Sequence, residues 1–177
     1  MKLDIGCGAS KREGFVGIDI LPIAGVDIVH NLEEFPYPIE SDSVDEIWMD
    51  QVLEHLNNPM KVVEELYRIS KNGAKITIGV PYYRSFYAAI DPTHVNFFST
   101  HWFNYFDPSN ELCKRYRYSN ARFKVESIEF DREWNKKSLL QKAVIAIANK
   151  KILLYESKLS SLYPLNSLTF YLTVLKN

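Results

Sequence analysis

Gly6 and Gly8, in the stretch LDIGCG (residues 3–8), are followed by an acid, Asp19, in GIDI (17–20). Glycines at 6 and 8 let backbone N–H groups approach a ligand closely. An acid at the end of a second strand accepts hydrogen bonds from two ribose hydroxyls. Each alone reads as a plain turn or a solvated strand end, but together they imply a nucleoside-containing ligand. Asn31 and Asp50 close two further strands with polar groups, so four strand ends are available to line one rim. A dinucleotide fingerprint would need a third glycine or alanine where Lys11 stands, an acid roughly 20 residues on, and a helix facing a pyrophosphate. These conditions fail or are strained, and a P-loop is absent. The nucleoside ligand without phosphate is S-adenosylmethionine (SAM).

A second group of residues is suited to proton transfer. His55 lies in LEHL, Asp91 and His94 lie in DPTH, and His101 stands behind them. His94, His55 and Asp91 are the candidates for a catalytic role, with His94 first, wherever an acceptor must lose a proton. The bland alternative is that Asp91, Thr93 and His94 tie a loop together through local hydrogen bonds. A metal site from Asp91, His94 and His101 is not expected, because spacing within a loop does not make ligands converge. Tyr82 and Tyr83 follow strand five and are the candidates for walling an acceptor site, although aromatics also fill cores. The basic and aromatic run KRYRYSNARFK (114–124) reads as a strand with a solvated basic face rather than a single-strand nucleic-acid groove.

These residues need elements to position them. Lys2–Ile5, Phe15–Asp19, Val26–His30 and Val44–Asp50 are short runs rich in branched apolar residues, the pattern of buried parallel strands. Asn58 and Pro59 open a helix that carries Val62, Val63, Leu66 and Ile69 at helical spacing and ends before Gly73. Lys75–Val80 then completes a strand–helix–strand crossover. Residues 81–113 are aromatic and proline-bearing with little periodicity, as expected of an acceptor-site insertion or lid. Phe123–Phe130 alternates as a strand, Ser138–Tyr155 is an apolar-rich helix that covers the sheet or touches a membrane, and Leu168–Leu175 is a last strand.

The 177-residue chain has an apolar fraction of 46%, a charged fraction of 24% and a net charge of −1, which suit one soluble domain over residues 1–177. No global field favours nucleic acid, and no nucleic-acid partner is expected. Two cysteines make neither a disulfide framework nor a zinc motif. No signal peptide and no transmembrane run are evident, so a cytoplasmic location is expected.

LDIGCG followed by GIDI resembles the first two motifs of class I SAM-dependent methyltransferases. The segment from FPYPIESDSVDEIWMDQVLEHLNNP to ITIGVP resembles the type 11 group of that superfamily, and DPTHVNFF (91–98) is similar to a small bacterial and archaeal subgroup linked to glycan or cell-surface biosynthesis. The resemblance implies a Rossmann-like α/β three-layer sandwich with a seven-stranded sheet in the order 3-2-1-4-5-7-6, strand seven being antiparallel. It also implies SAM as cofactor, with S-adenosylhomocysteine as product, and methyl transfer to a small-molecule acceptor. By that resemblance Asp4, Gly6 and Gly8 would lie against the methionine part, Asp19 on the ribose, Ile20, Asn31 and Leu32 around the adenine, and Asp50 near the sulfonium. The alternatives are a catalytically silent SAM-binding or partner-binding module and, disfavoured by Lys11, a nicotinamide-dependent oxidoreductase.

Between the first two strands only Ala9 to Gly14 remain, too few for the usual crossover helix but enough to return nearly extended. The first crossover helix is therefore shortened or absent, and its dipole is lost from the cofactor's carboxylate. Lys11 or Arg12, with Ser10 and backbone N–H groups, is expected to supply the positive partner instead.

Overall fold

The computed structural model describes residues 1–135 and 137–176. Seven strands, β1 (Lys2–Ile5), β2 (Val16–Asp19), β3 (Ile28–Val29), β4 (Val44–Asp50), β5 (Ser70–Pro81), β6 (Phe123–Phe130) and β7 (Ser167–Val174), form one sheet in the order β3-β2-β1-β4-β5-β7-β6. The pairs among β1 to β5 are parallel, whereas β7 runs antiparallel between β5 and β6. This is the expected order. The β1–β2 connection contains no helix, as its length requires.

The register aligns Leu3, Ile47, Ile76, Leu172 and Val125 across the sheet on one face. Asp4, Trp48, Thr77, Tyr171 and Ser127 align on the other. Helices α1 (Pro59–Ile69) and α4 (Leu139–Lys150) bury Val62, Val63, Leu66, Ile69, Ile145 and Ala148 into the core on the first face. The strands therefore alternate, where sequence patterning suggested burial on both sides. The missing crossover helix is the physical reason: without it, apolar side chains on the second face would stay in water. Cover on that side includes Arg12 and Arg132, whose guanidinium carbons lie 3.7 and 4.6 Å from the Trp48 ring centroid.

Helix α1 begins as its sequence dictates, with Asn58 accepting the Lys61 N–H and Pro59 at the first position. It ends at Ile69, because the Ser70 hydroxyl donates to Leu66 O and β5 starts at once, five residues before the expected strand. Residues 81–113 are more regular than expected: α2 (Phe86–Ile90), a 3₁₀ turn (Trp102–Tyr105) and the start of α3 (Glu111–Tyr116) fall there. Fully buried Phe98, Phe103 and Phe106 hold this segment to the core. The helix expected over 138–155 breaks at Lys151 into α4 and the single turn α5 (Ile152–Leu154). No helix among the described residues is long and apolar enough to cross a membrane.

Candidate active site

Gly6 ends β1 with φ +69°, and a Cβ there would collide with Val52. Its N–H donates to Ile18 O at 2.8 Å, which draws the ends of β1 and β2 together. Asp19 is then fixed by two backbone donors, Gly8 N at 2.8 Å and Leu21 N at 3.0 Å, one on each carboxylate oxygen. A carboxylate offers about four lone-pair sites, so two remain for a ligand's hydroxyls. Gly6, Asp19, Ile20, Asn31, Leu32, Gln51, Val52, His55 and Leu56 enclose a cavity of about 280 Å³. Ile20 is 59% exposed at its rim, an apolar surface suited to a flat ring. The Asn31 carbonyl oxygen accepts the Glu33 N–H at 3.1 Å, so that side chain also shapes its own turn.

Five of the nine residues expected around the cofactor thus share one cavity. Asp4 is buried just behind it and accepts the Arg12 N–H at 2.7 Å, which pins the helix-free connection; burial raises its carboxyl above the usual range. Gly8 acts by holding Asp19. Lys11 does not come to the cavity: its ammonium pairs with Asp27 at 2.8 Å, and the same carboxylate oxygen accepts Gly17 N. Asp50 faces a neighbouring cavity, also about 280 Å³, lined by Gln51, Tyr87, Arg132, Glu133, Asn166, Ser167 and Thr169. There it pairs with Arg132 at 2.5 Å, and only glycine at 79 leaves room for its carboxylate. Gln51, in left-handed backbone with φ 56°, lines both cavities.

Residues 3–78 match the family described as a methyltransferase domain, the type 11 group. Over that stretch the chain is similar to the type 11 group of class I SAM-dependent methyltransferases. No curated protein matches this chain in sequence. Among solved structures, a SAM-dependent methyltransferase from Archaeoglobus fulgidus is similar at 21% identity and a TM-score of 0.61, over 97% of this chain and 85% of that one. The [4+2]-cyclase SpnF is similar at 15% identity and a TM-score of 0.59, over 99% and 74%. A phosphoethanolamine N-methyltransferase from Haemonchus contortus shares 15% identity with a TM-score of 0.56, over 99% of this chain and 48% of its own. These likenesses establish the fold, and the cyclase among them shows the fold housing a different reaction.

The three catalytic candidates converge. The 3₁₀ turn Leu53–His55 sets His55 against His94, ring centroids 4.6 Å apart. Asp91 accepts both the Thr93 N–H at 2.8 Å and its hydroxyl at 2.6 Å, which hold the Asp91 carboxyl below the usual range. Thr93 in turn meets His55 Nδ1 at 2.8 Å. Burial, with His94 alongside, lowers the His55 pKa. Sequence reasoning missed Glu54, which is 1% exposed beside both histidines; burial pushes its carboxyl up to about 7. An acid inside the apolar run VLEHL was the available signal.

The aromatic assignments need correction. Tyr82 is fully buried against Tyr83, Phe130 and Tyr155, because it continues the inward row of Val80, and it is core rather than an acceptor wall. Tyr83 accepts from Arg84 Nε at 2.6 Å and lines a separate depression with His101 and Glu156. Tyr87, not named from sequence as a principal site residue, is the aromatic at the Asp50 cavity.

Proposed function

We propose that this enzyme transfers the methyl group of SAM to a polyhydroxylated small molecule, a sugar or a glycan precursor. The observation that carries the reading is the second cavity. It joins the SAM-suited cavity through Gln51 and is lined by one aromatic, Tyr87, and by groups that pair with hydroxyls: Asp50, Arg132, Asn166, Ser167 and Thr169. Sugars are held by such a mixture of stacking face and hydrogen-bonding groups.

The first cavity fits the cofactor by its donors. Asp19 keeps lone pairs for the ribose hydroxyls, Ile20 and Leu32 flank the adenine, and Gly6 allows close approach to the methionine part. When bound, SAM supplies a carbon already activated by its sulfonium. The chain's own contribution is alignment of the acceptor and exclusion of water, with His55 and His94 available to take a hydroxyl proton. Residues 81–113 bring Tyr87, Asp91 and His94 to this side and form the acceptor-facing part of a single domain. A cytoplasmic location agrees with two free, buried cysteines, Cys7 and Cys113.

Calorimetric titration with S-adenosylhomocysteine and with NAD tests the cofactor site. Binding of the first alone is expected, and Asp19→Ala should weaken it by roughly 10-fold or more, since hydrogen bonds to a charged group are worth about 1.5–3 kcal/mol. Unchanged affinity in that variant would remove Asp19 from the ribose. Methyl-group release into a panel of sugars and sugar nucleotides tests the acceptor, and multiple turnover rules out a silent binding module.

A further inference from the structure

Glu54 is 1% exposed, and neither carboxylate oxygen has a hydrogen-bond partner among the described residues. Buried carboxylates are ordinarily paired, so this one awaits a positive group. His94 Nδ1 lies 3.2 Å from Ala88 O. A carbonyl only accepts, so the proton sits on Nδ1 and the Nε2 lone pair is free. That Nε2 faces Glu54 Oε1 at 4.0 Å, too far for a hydrogen bond. Thr93 spends its hydroxyl proton on Asp91, so its oxygen accepts from His55 Nδ1 at 2.8 Å, and His55 too keeps Nε2 unprotonated. Both imidazoles are thereby oriented by an outer hydrogen bond, the arrangement that holds histidine ligands on metals. One ligand atom from each of Glu54, His55 and His94 lies within 4.8 Å of the other two.

We propose that Glu54, His55 and His94 form a binding site for a divalent transition-metal ion, with Asp91–Thr93 and the Ala88 carbonyl as its outer support. The donor set, two imidazole nitrogens and one carboxylate, suits zinc, iron(II), cobalt(II) or manganese rather than magnesium or calcium. Ligands about 2.0–2.1 Å from a tetrahedral zinc stand roughly 3.3 Å apart. The triad must therefore draw in by about 1.5 Å, the scale of a side-chain rotamer change. The set differs from Asp91, His94 and His101, because a 3₁₀ turn from a different part of the chain supplies two of the three ligands and His101 turns toward Glu156 instead, at 3.8 Å. His55 also lines the SAM-suited cavity, so the ion borders it. With the ion bound, its remaining coordination position would hold an acceptor oxygen and lower that oxygen's pKa, replacing proton acceptance by the His55 and His94 imidazoles, whose lone pairs the ion would occupy.

Uptake is measured without turnover, so its outcome is independent of the acceptor assignment. Untagged full-length protein stripped with chelator is titrated with Co²⁺, followed by visible absorption and by metal content after desalting. The expected result is one Co²⁺ per chain with the absorption of four- or five-coordinate cobalt, displaced by Zn²⁺. Glu54→Gln and His94→Gln should each weaken uptake by roughly 100-fold or more, and Thr93→Val, at an exposed position, by roughly 10-fold. His55→Gln serves if loss of a buried group unfolds the first two, and circular dichroism verifies the fold of each. Failure of folded wild-type protein to take up either ion overturns the proposal. So does uptake that is unchanged in the folded ligand variants, since the ion then lies elsewhere.

Discussion

Arg12 rests its guanidinium on Trp48 and makes no ion pair among the described residues, whereas Lys11 is engaged by Asp27. The two adjacent cations therefore differ in what they can offer a carboxylate. With the crossover helix gone, we propose that Arg12, which like Lys11 lies outside the lining of both cavities but is unpaired among the described residues, gives the cofactor's methionine carboxylate its positive partner. Arg12→Ala should weaken S-adenosylhomocysteine binding by roughly 10-fold, in line with a lost charged hydrogen bond. Lys11→Ala should leave affinity within about 2-fold and cost at most ~1 kcal/mol of stability, as an exposed ion pair does. Equal losses from the two variants in calorimetry would defeat the distinction. Tyr82 offers a second contrast. Its buried hydroxyl meets no hydrogen-bond partner of good geometry among the described residues, a state that costs about 1–3 kcal/mol. Tyr82→Phe should leave methyl transfer unchanged and hold or raise stability by up to ~1 kcal/mol in denaturant unfolding; a loss of KM or kcat would return this residue to the acceptor site.

The β1–β2 connection and the turn after β4 meet at Gly6 and Val52, and that contact shapes the cavity proposed for the cofactor. Gly6→Ala adds a left-handed strain and a collision with the Val52 methyls. Together these should cost roughly 2–3 kcal/mol and reduce S-adenosylhomocysteine affinity by more than 10-fold. Adding Val52→Ala removes only the collision, so the double variant should recover part of the stability but not all; full recovery would mean that backbone strain contributes nothing. This region was readable in the sequence because its signals are local: glycine spacing, an acid at a strand end, and a cap-and-proline helix start. The bounds of β4 and β6 were read residue for residue for the same reason, since apolar and polar residues mix at strand spacing within VDEIWMD and FKVESIEF. The Glu54–His55–His94 cluster was not readable. Val95 N and Asn96 N bond to Glu54 O, tying the 91–96 loop to a turn forty residues earlier, and no periodicity records such a pairing. The short helices of residues 81–116 were hidden likewise, because buried aromatics rather than helical spacing hold them.

At the scale of the molecule the helices and the sheet order leave two surfaces of different character. The polar sheet face is satisfied by its own charges, Lys2 with Glu46 at 2.6 Å and Lys124 with Glu126 at 2.6 Å, and by Arg12 and Arg132 over Trp48. The segment from α4 to residue 162 is different. Its inner side fixes Ile145, Ala148 and Tyr155 in the core, as the apolar pattern of 138–155 led one to expect. Its outer side leaves Leu139, Leu140, Ile147, Leu153, Leu154 and Leu162 exposed, with Leu139 at 87% and Leu162 at 82%. Lys142, Lys150, Lys151 and Lys158 belong to the same segment, against a single acid, Glu156. Apolar side chains interspersed with lysines fit the interface of an anionic bilayer, where each basic residue adds about 1 kcal/mol and each buried leucine about 1.5–3 kcal/mol. An acceptor carried on a lipid would be met there. The protein should therefore cosediment with vesicles containing about a third anionic phospholipid, less so at high salt, and weakly with neutral vesicles. Leu139→Glu with Leu140→Glu, both on the outer side of a capped helix, should abolish most of that binding while leaving S-adenosylhomocysteine affinity intact. Wild-type protein that stays in the supernatant with anionic vesicles at low salt would show that the exposed leucines serve no membrane, and the acceptor would then be sought among soluble sugars.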